Sequence, residues 1–134
     1  DGMAIPARIE YSLRALAALA VAQPAAVNAR TLADTQRIPP GYVYNVLADL
    51  RRADLVYALR GNHGGYALTR PPGEITLGAV IRLLDGPTTE MRAPPGEAPG
   101  DALAARLHHL WDRANQASLL LLDEVTLADL ITQA

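Results

Sequence analysis

Apolar side chains recur at Ile9, Leu13, Leu16 and Ala20, and these steps of three and four predict a helix over Arg8–Ala22 that Pro24 stops. Asn28 is a candidate N-cap for a short helix to about Gln36, with Leu32 and Ala33 facing inward. Pro39-Pro40 cannot continue that helix, but proline suits the first turn of another. Val43, Val46, Leu47 and Leu50 then mark the buried stripe of a helix running to about Ala53. Two short runs follow, Val56–Arg60 and Gly65–Thr69, around Gly61-Asn62-His63-Gly64. Glycines supply the backbone freedom of a hairpin turn, and Tyr66 and Leu68 alternate with small or polar residues.

Thr76 can cap a helix whose apolar face is Leu77, Val80, Ile81 and Leu84 and which ends at Gly86-Pro87. Thr88 to Gly100 is rich in Pro, Gly and acid, a composition that predicts a flexible loop. Beyond Asp101, the positions Leu103, Leu107, Leu110, Ala114, Ala117 and Leu121 alternate steps of four and three. That spacing keeps one seam of a long helix facing a partner helix. A packing face within the same chain is the alternative, but a helix that follows a flexible loop needs somewhere to bury its seam. Leu127–Ile131 can form a last short helix that packs back on the body.

The expected fold class is therefore mainly α. A winged helix-turn-helix domain with a small β-hairpin wing is expected over 3–87, a flexible loop over 88–100, and a long dimerisation helix with its tail over 101–134.

Composition supports helices, since Ala and Leu carry the burial, aromatics are 4% of the chain and Phe is absent. There is no cysteine, which excludes disulfides, thiolate metal sites and thiol catalysis. The start of the chain lacks the basic-then-apolar design of a secretory signal, so a cytoplasmic location and no membrane partner are expected. The formal net charge of −2 argues mildly against a nucleic-acid partner, but its distribution argues for one. Between Arg30 and Arg70 six arginines face three acids; from Pro71 onward four arginines face nine acids. Every basic residue is Arg, whose planar fork pairs with phosphates and guanine edges. A basic reading head on an acidic body is the picture that results.

Several segments resemble one family. Glu10-Tyr11-Ser12-Leu13-Arg14-Ala15-Leu16 is similar to the opening helix of the Rrf2 family of transcription regulators, and Ile38-Pro39-Pro40-Gly41-Tyr42-Val43 to its turn into the recognition helix. The run from Arg60 to Pro71 is similar to the family's wing signature, and Ile75–Ile81 followed by Asp85-Gly86-Pro87 continues as the family would. The resemblance implies a dimeric DNA-binding regulator. Many members hold an iron–sulfur cluster through three cysteines before the dimerisation helix. Here Ala93, Pro99 or Ala98, and Ala105 fall near those ligand positions, with His108 near a family histidine ligand. One imidazole cannot replace three thiolates, so no cofactor is expected.

Candidate DNA contacts follow from the pattern. With Val43, Val46, Leu47 and Leu50 turned inward, Gly41, Tyr42, Tyr44, Asn45, Ala48, Arg51 and Arg52 are left on or near the outer face of the second motif helix. Its N-terminal end is the part that reaches base edges. Tyr42 is placed to donate to a phosphate, or else to pack on the first helix; Gly41 lets the DNA backbone come close. Tyr44 and Asn45 are the candidates for base contact, since Asn can pair with adenine through two bonds. Arg60 opens the hairpin turn, where a wing enters the minor groove, and Asn62 and His63 at the tip reach phosphate or sugar unless they are only solvated turn residues. Arg51 and Arg52 contact phosphate or pair with Asp49 and Asp54; Arg30 and Arg37 are weaker candidates. Trp111 is expected at the dimer contact or against the first helix. His108, His109 and Asp112 invite a metal reading, but a firm site needs three or four ligands.

The function expected is a sequence-specific regulator, a repressor that binds an inverted-repeat operator in double-stranded DNA as a homodimer through the helix from Asp101 to Leu122. Rival readings are a winged-helix module that docks on a regulatory protein partner, and a metal or small-molecule sensor. No catalytic constellation supports an enzyme.

Overall fold

The computed structural model describes residues 5–85 and 101–132. The element order is α1 (Ala7–Ala22), α2 (Ala29–Gln36), α3 (Pro40–Arg52), β1 (Val56–Leu59), β2 (Gly65–Leu68), a 3-10 turn (Pro72–Glu74), α4 (Leu77–Asp85), α5 (Ala102–Leu122) and α6 (Leu127–Thr132). The helix end at Gly86-Pro87, the loop from Thr88 to Gly100, and Ala93, Ala98 and Pro99 lie outside the described residues.

Local chemistry sets the element ends. The Asn28 side-chain oxygen accepts from the Thr31 N–H at 2.8 Å and caps α2. That helix ends on Arg37 in the left-handed region (φ 57°, ψ 42°), and Ile38 donates back to the Ala33 carbonyl at 3.1 Å. Pro40 opens α3, where its missing N–H costs nothing. After α3 the chain turns through Asp54 (φ 60°), Leu55 donates to the Leu50 carbonyl at 2.9 Å, and the Thr69 hydroxyl donates to the Asp54 carbonyl at 2.7 Å. The Thr76 hydroxyl accepts from Ala79 at 3.1 Å and starts α4.

One core joins these elements. Leu16 and Leu19 of α1, Leu32 of α2, Val43, Val46, Leu47 and Leu50 of α3, then Leu55, Ile75, Val80 and Leu127 are all fully buried. The α1 face also includes Ser12, whose buried hydroxyl has no hydrogen-bond partner among the described residues; Leu13 is half-buried at the rim. Leu127 brings α6 into the core against α1, as the sequence predicted.

The hairpin departs from its expected burial. Val56 pairs with Leu68 and Leu59 with Gly65, one residue short of the predicted strand ends on both strands. Along β2, Ala67 and Leu68 are both buried, so burial does not alternate. The two strands differ: Tyr57, directly opposite Ala67, is exposed, because β2 lies between β1 and the bridged Val27 and packs against α1, while β1 is the outer strand. The sequence also gave no sign of what braces it. Val27, before α2, pairs with Tyr66 through two backbone hydrogen bonds, Val27 N–H to Tyr66 O at 3.0 Å and Tyr66 N–H to Val27 O at 2.8 Å. The hairpin is thus laced to the helix-turn-helix.

Candidate nucleic-acid interface

Helix α3 advances about 100° per residue, so its buried stripe determines what faces out. Val43, Val46, Leu47 and Leu50 are buried on one side. Gly41, Asn45, Ala48 and Arg52 fall in line on the other, flanked by Tyr44 and Arg51. Tyr44 is 64% exposed, Gly41, Asn45, Arg51 and Arg52 are exposed, and a side chain at Gly41 would meet open space. A flat approach of another molecule to the first turn is therefore unobstructed.

Tyr42 lies on the flank of that face. Its ring meets Tyr11 of α1 edge to face, with centroids 5.5 Å apart, which is the packing anticipated as the alternative to phosphate contact. The ring is half-buried rather than enclosed. On the same flank Asp49 accepts the Nε of Arg8 at 3.1 Å and also pairs with Arg52. Arg8 in turn donates to the Leu84 carbonyl at 2.6 Å. So Arg52 takes the ion pair considered for it, while Arg51, Arg60, Arg30 and Arg37 have no ion pair among the described residues.

The wing tip rests on glycines. Gly61 has φ +103°, and the Gly64 N–H donates to the Gly61 carbonyl at 3.0 Å, closing the turn that carries Arg60, Asn62 and His63. All three side chains are exposed. Gly65 has φ +145°, and a side chain there would run into the backbone of Val27 and Asn28. This close approach draws the tip toward α2. Asn62 and His63 share with Asn28 and Thr31 the wall of an open groove of about 570 Å³. Sequence reasoning missed that juxtaposition, because it depends on the Val27–Tyr66 pairing.

The long helix presents a different surface. Asp101 caps α5 by accepting from Ala104 at 3.0 Å. The seam read from the sequence is open: Leu103, Leu107, Leu110 and Leu121 are 56–66% exposed, and Trp111, 59% exposed, is not buried against α1. Toward the other side, His108, Asp112 and Asn115 are half-buried. Among the described residues no three His, Asp or Glu side chains converge as a metal site would need. No helix among them is long and apolar enough to cross a membrane.

Known proteins share this fold. Residues 5–133 match the Rrf2 family model, described as an iron-dependent transcriptional regulator. The chain is 39% identical over 130 residues to an HTH-type transcriptional regulator of Mycobacterium tuberculosis, covering 95% of this chain and 80% of that protein. It is 35% identical over 101 residues to the HTH-type regulator CymR of Bacillus subtilis, covering 75% and 69%. The structure of CymR, the global cysteine regulator of B. subtilis, matches with TM-score 0.76 at 30% identity over 99% of each chain. That of T. potens IscR matches with TM-score 0.78 at 27% identity over 98% of this chain and 88% of that one.

Iron–sulfur clusters are held by thiolates. This chain has no cysteine and, among its described residues, no convergent set of other donors, so the residues present do not fit such a cluster. The helix-turn-helix with its laced wing, the family model spanning nearly the whole chain and the matching structures lead to one conclusion: the chain belongs to the Rrf2 family of winged helix-turn-helix, DNA-binding transcription regulators, a family of regulators and not of enzymes.

Proposed function

We propose that the protein is a homodimer that binds an inverted-repeat operator in the cytoplasm and represses by occupying promoter DNA. The observation that carries this reading is the exposed seam of α5, where Leu103, Leu107, Leu110 and Leu121 share one face of a 21-residue helix. An exposed apolar stripe of that kind is costly to leave in water and fits a twofold copy of itself. Two helices crossing there would present two α3 faces to successive major grooves.

In each half, Gly41 and Tyr42 meet the DNA backbone, Tyr44 and Asn45 read base edges, and Arg51 and Arg52 supply phosphate contacts. Arg60 enters the minor groove, while Asn62 and His63 touch its walls. Arginine contacts release counterions and supply affinity, whereas base and groove contacts discriminate. The domain at 3–87 is thus the reader, and the segment at 101–134 the coupler.

Leu107→Glu tests the reading, because a charge in the seam has no place in a dimer. Sedimentation is expected to show a dimer for the parent protein and a monomer for the variant, with affinity for a two-half-site duplex reduced by about 100-fold or more. A parent protein that sediments as a monomer, or a variant that remains dimeric, would overturn it.

A further inference from the structure

The end of α5 is fixed to the head around Arg82 and Asp123. Arg82 of α4 donates through both terminal nitrogens to the two carboxylate oxygens of Asp123, the Nη2–Oδ2 bond being 3.0 Å. This fork-on-carboxylate geometry holds direction as well as distance. Gly78, one turn earlier on α4, makes room for it: any side chain there would overlap the Asp123 carboxylate. Just beyond, Leu77 N–H donates to the Val125 carbonyl at 2.8 Å and Leu127 N–H to the Ile75 carbonyl at 2.9 Å. The last turn of α5 and the segment after it are therefore held at three points.

The rest of α5 is exposed along one face. Among its described residues none is buried, and of the described elements it packs principally against α4. A helix of 21 residues is about 31 Å long, so a tilt of roughly 10° at the clamp moves its far end by about 5 Å. Successive base pairs along DNA are only about 3.4 Å apart.

We propose that the Arg82–Asp123 pair, seated over Gly78, sets the angle at which the dimerisation helix leaves the DNA-binding head and so selects the spacing between operator half-sites. This rests on the dimeric reading above. Arg82 and Asp123 are positioning residues: neither is among the proposed DNA contacts, and their effect passes through the direction of α5. The clamp sorts operators by spacer length because a rigid head-to-axis angle matches only one separation of major grooves.

The test uses the inverted repeat preferred by the parent protein and duplexes whose spacer is one base pair longer or shorter. The parent is expected to favour its own spacer by about tenfold. Arg82→Ala and Asp123→Asn are each expected to reduce that ratio to about threefold or less, while the dimer and the affinity for an isolated half-site are unchanged. Gly78→Ala, which suits a helix and displaces the carboxylate, is expected to move the preferred spacer rather than flatten the preference. Retention of the parent ratio by both Arg82→Ala and Asp123→Asn overturns the inference and leaves the dimeric reading standing. A parent protein indifferent to spacer length instead removes the inverted-repeat reading, and the inference falls with it.

Discussion

The ring of Tyr42 meets that of Tyr11 edge to face, 5.5 Å between centroids and 67° between planes, at the point where the recognition helix leans on α1. This contact separates two roles that one residue can carry. Tyr42→Phe keeps the ring pair and removes only the hydroxyl, so thermal stability is expected to hold while DNA affinity falls about fivefold to tenfold through a lost phosphate bond. Tyr42→Ala is expected to lower stability as well, by about 1–2 kcal/mol, because the ring pair and its burial go together. Melting curves and a gel shift on both variants check this. Unchanged DNA affinity in Tyr42→Phe would leave the tyrosine with packing alone.

Arg60 stands exposed at the start of a glycine-closed turn and has no ion pair among the described residues. Arg60→Ala should therefore leave the melting temperature unaltered and still abolish or relax sequence preference. The slope of log affinity against log salt should fall by about one unit. Gel shifts across a salt series measure both, and an intact operator affinity would reject the wing assignment.

Gly65 combines a positive φ with close approach to Val27. Gly65→Ala is expected to destabilise the protein by roughly 1–3 kcal/mol and to unlace the hairpin from α2. Hydrogen exchange at the Val27 and Tyr66 amides reads the effect directly. Protection equal to that of the parent would show that the bridge does not depend on glycine.

These two backbone sites also show where sequence reasoning reached and where it stopped. The Asn28 cap, the proline start of α3 and the inward set Val43, Val46, Leu47 and Leu50 were legible because each is a local rule with a period or a residue type attached. So was the helix of α5 with its leucines on one face, which recur at helical steps. The lacing of Val27 to Tyr66 was not, since a single bridged residue carries no alternation and its partner is distant in the chain. Ala67 is buried because β2 is the inner strand, between β1 and Val27, a placement that parity along one strand does not carry. The Arg82–Asp123 clamp lies 41 positions apart in sequence, and nothing at Gly78 distinguishes it from a neutral helix residue until Asp123 is seen against it.

The clamp has a consequence for acid stability. The hydrogen bond from Arg82, and then its charge, hold the Asp123 carboxyl below the usual aspartate range, while Arg82 itself is raised further above neutral pH. A depressed folded-state pKa means stabilisation that is complete above the unfolded value, roughly pH 4, and lost as pH falls through the lower folded value. Asp123→Asn lacks this contribution. The melting-temperature gap between parent and variant should thus narrow as pH drops from about 6 toward 2. A gap that stays constant over that range would mean the pair does not couple to folding.

Selection of bound sequences from random duplex DNA tests the central claim most directly. The account predicts an enriched inverted repeat whose half-site centres lie about one helical turn apart or a multiple of it, with an A·T-rich minor groove where Arg60 enters. Enrichment of a single unpaired half-site, or no enrichment at all, would contradict it.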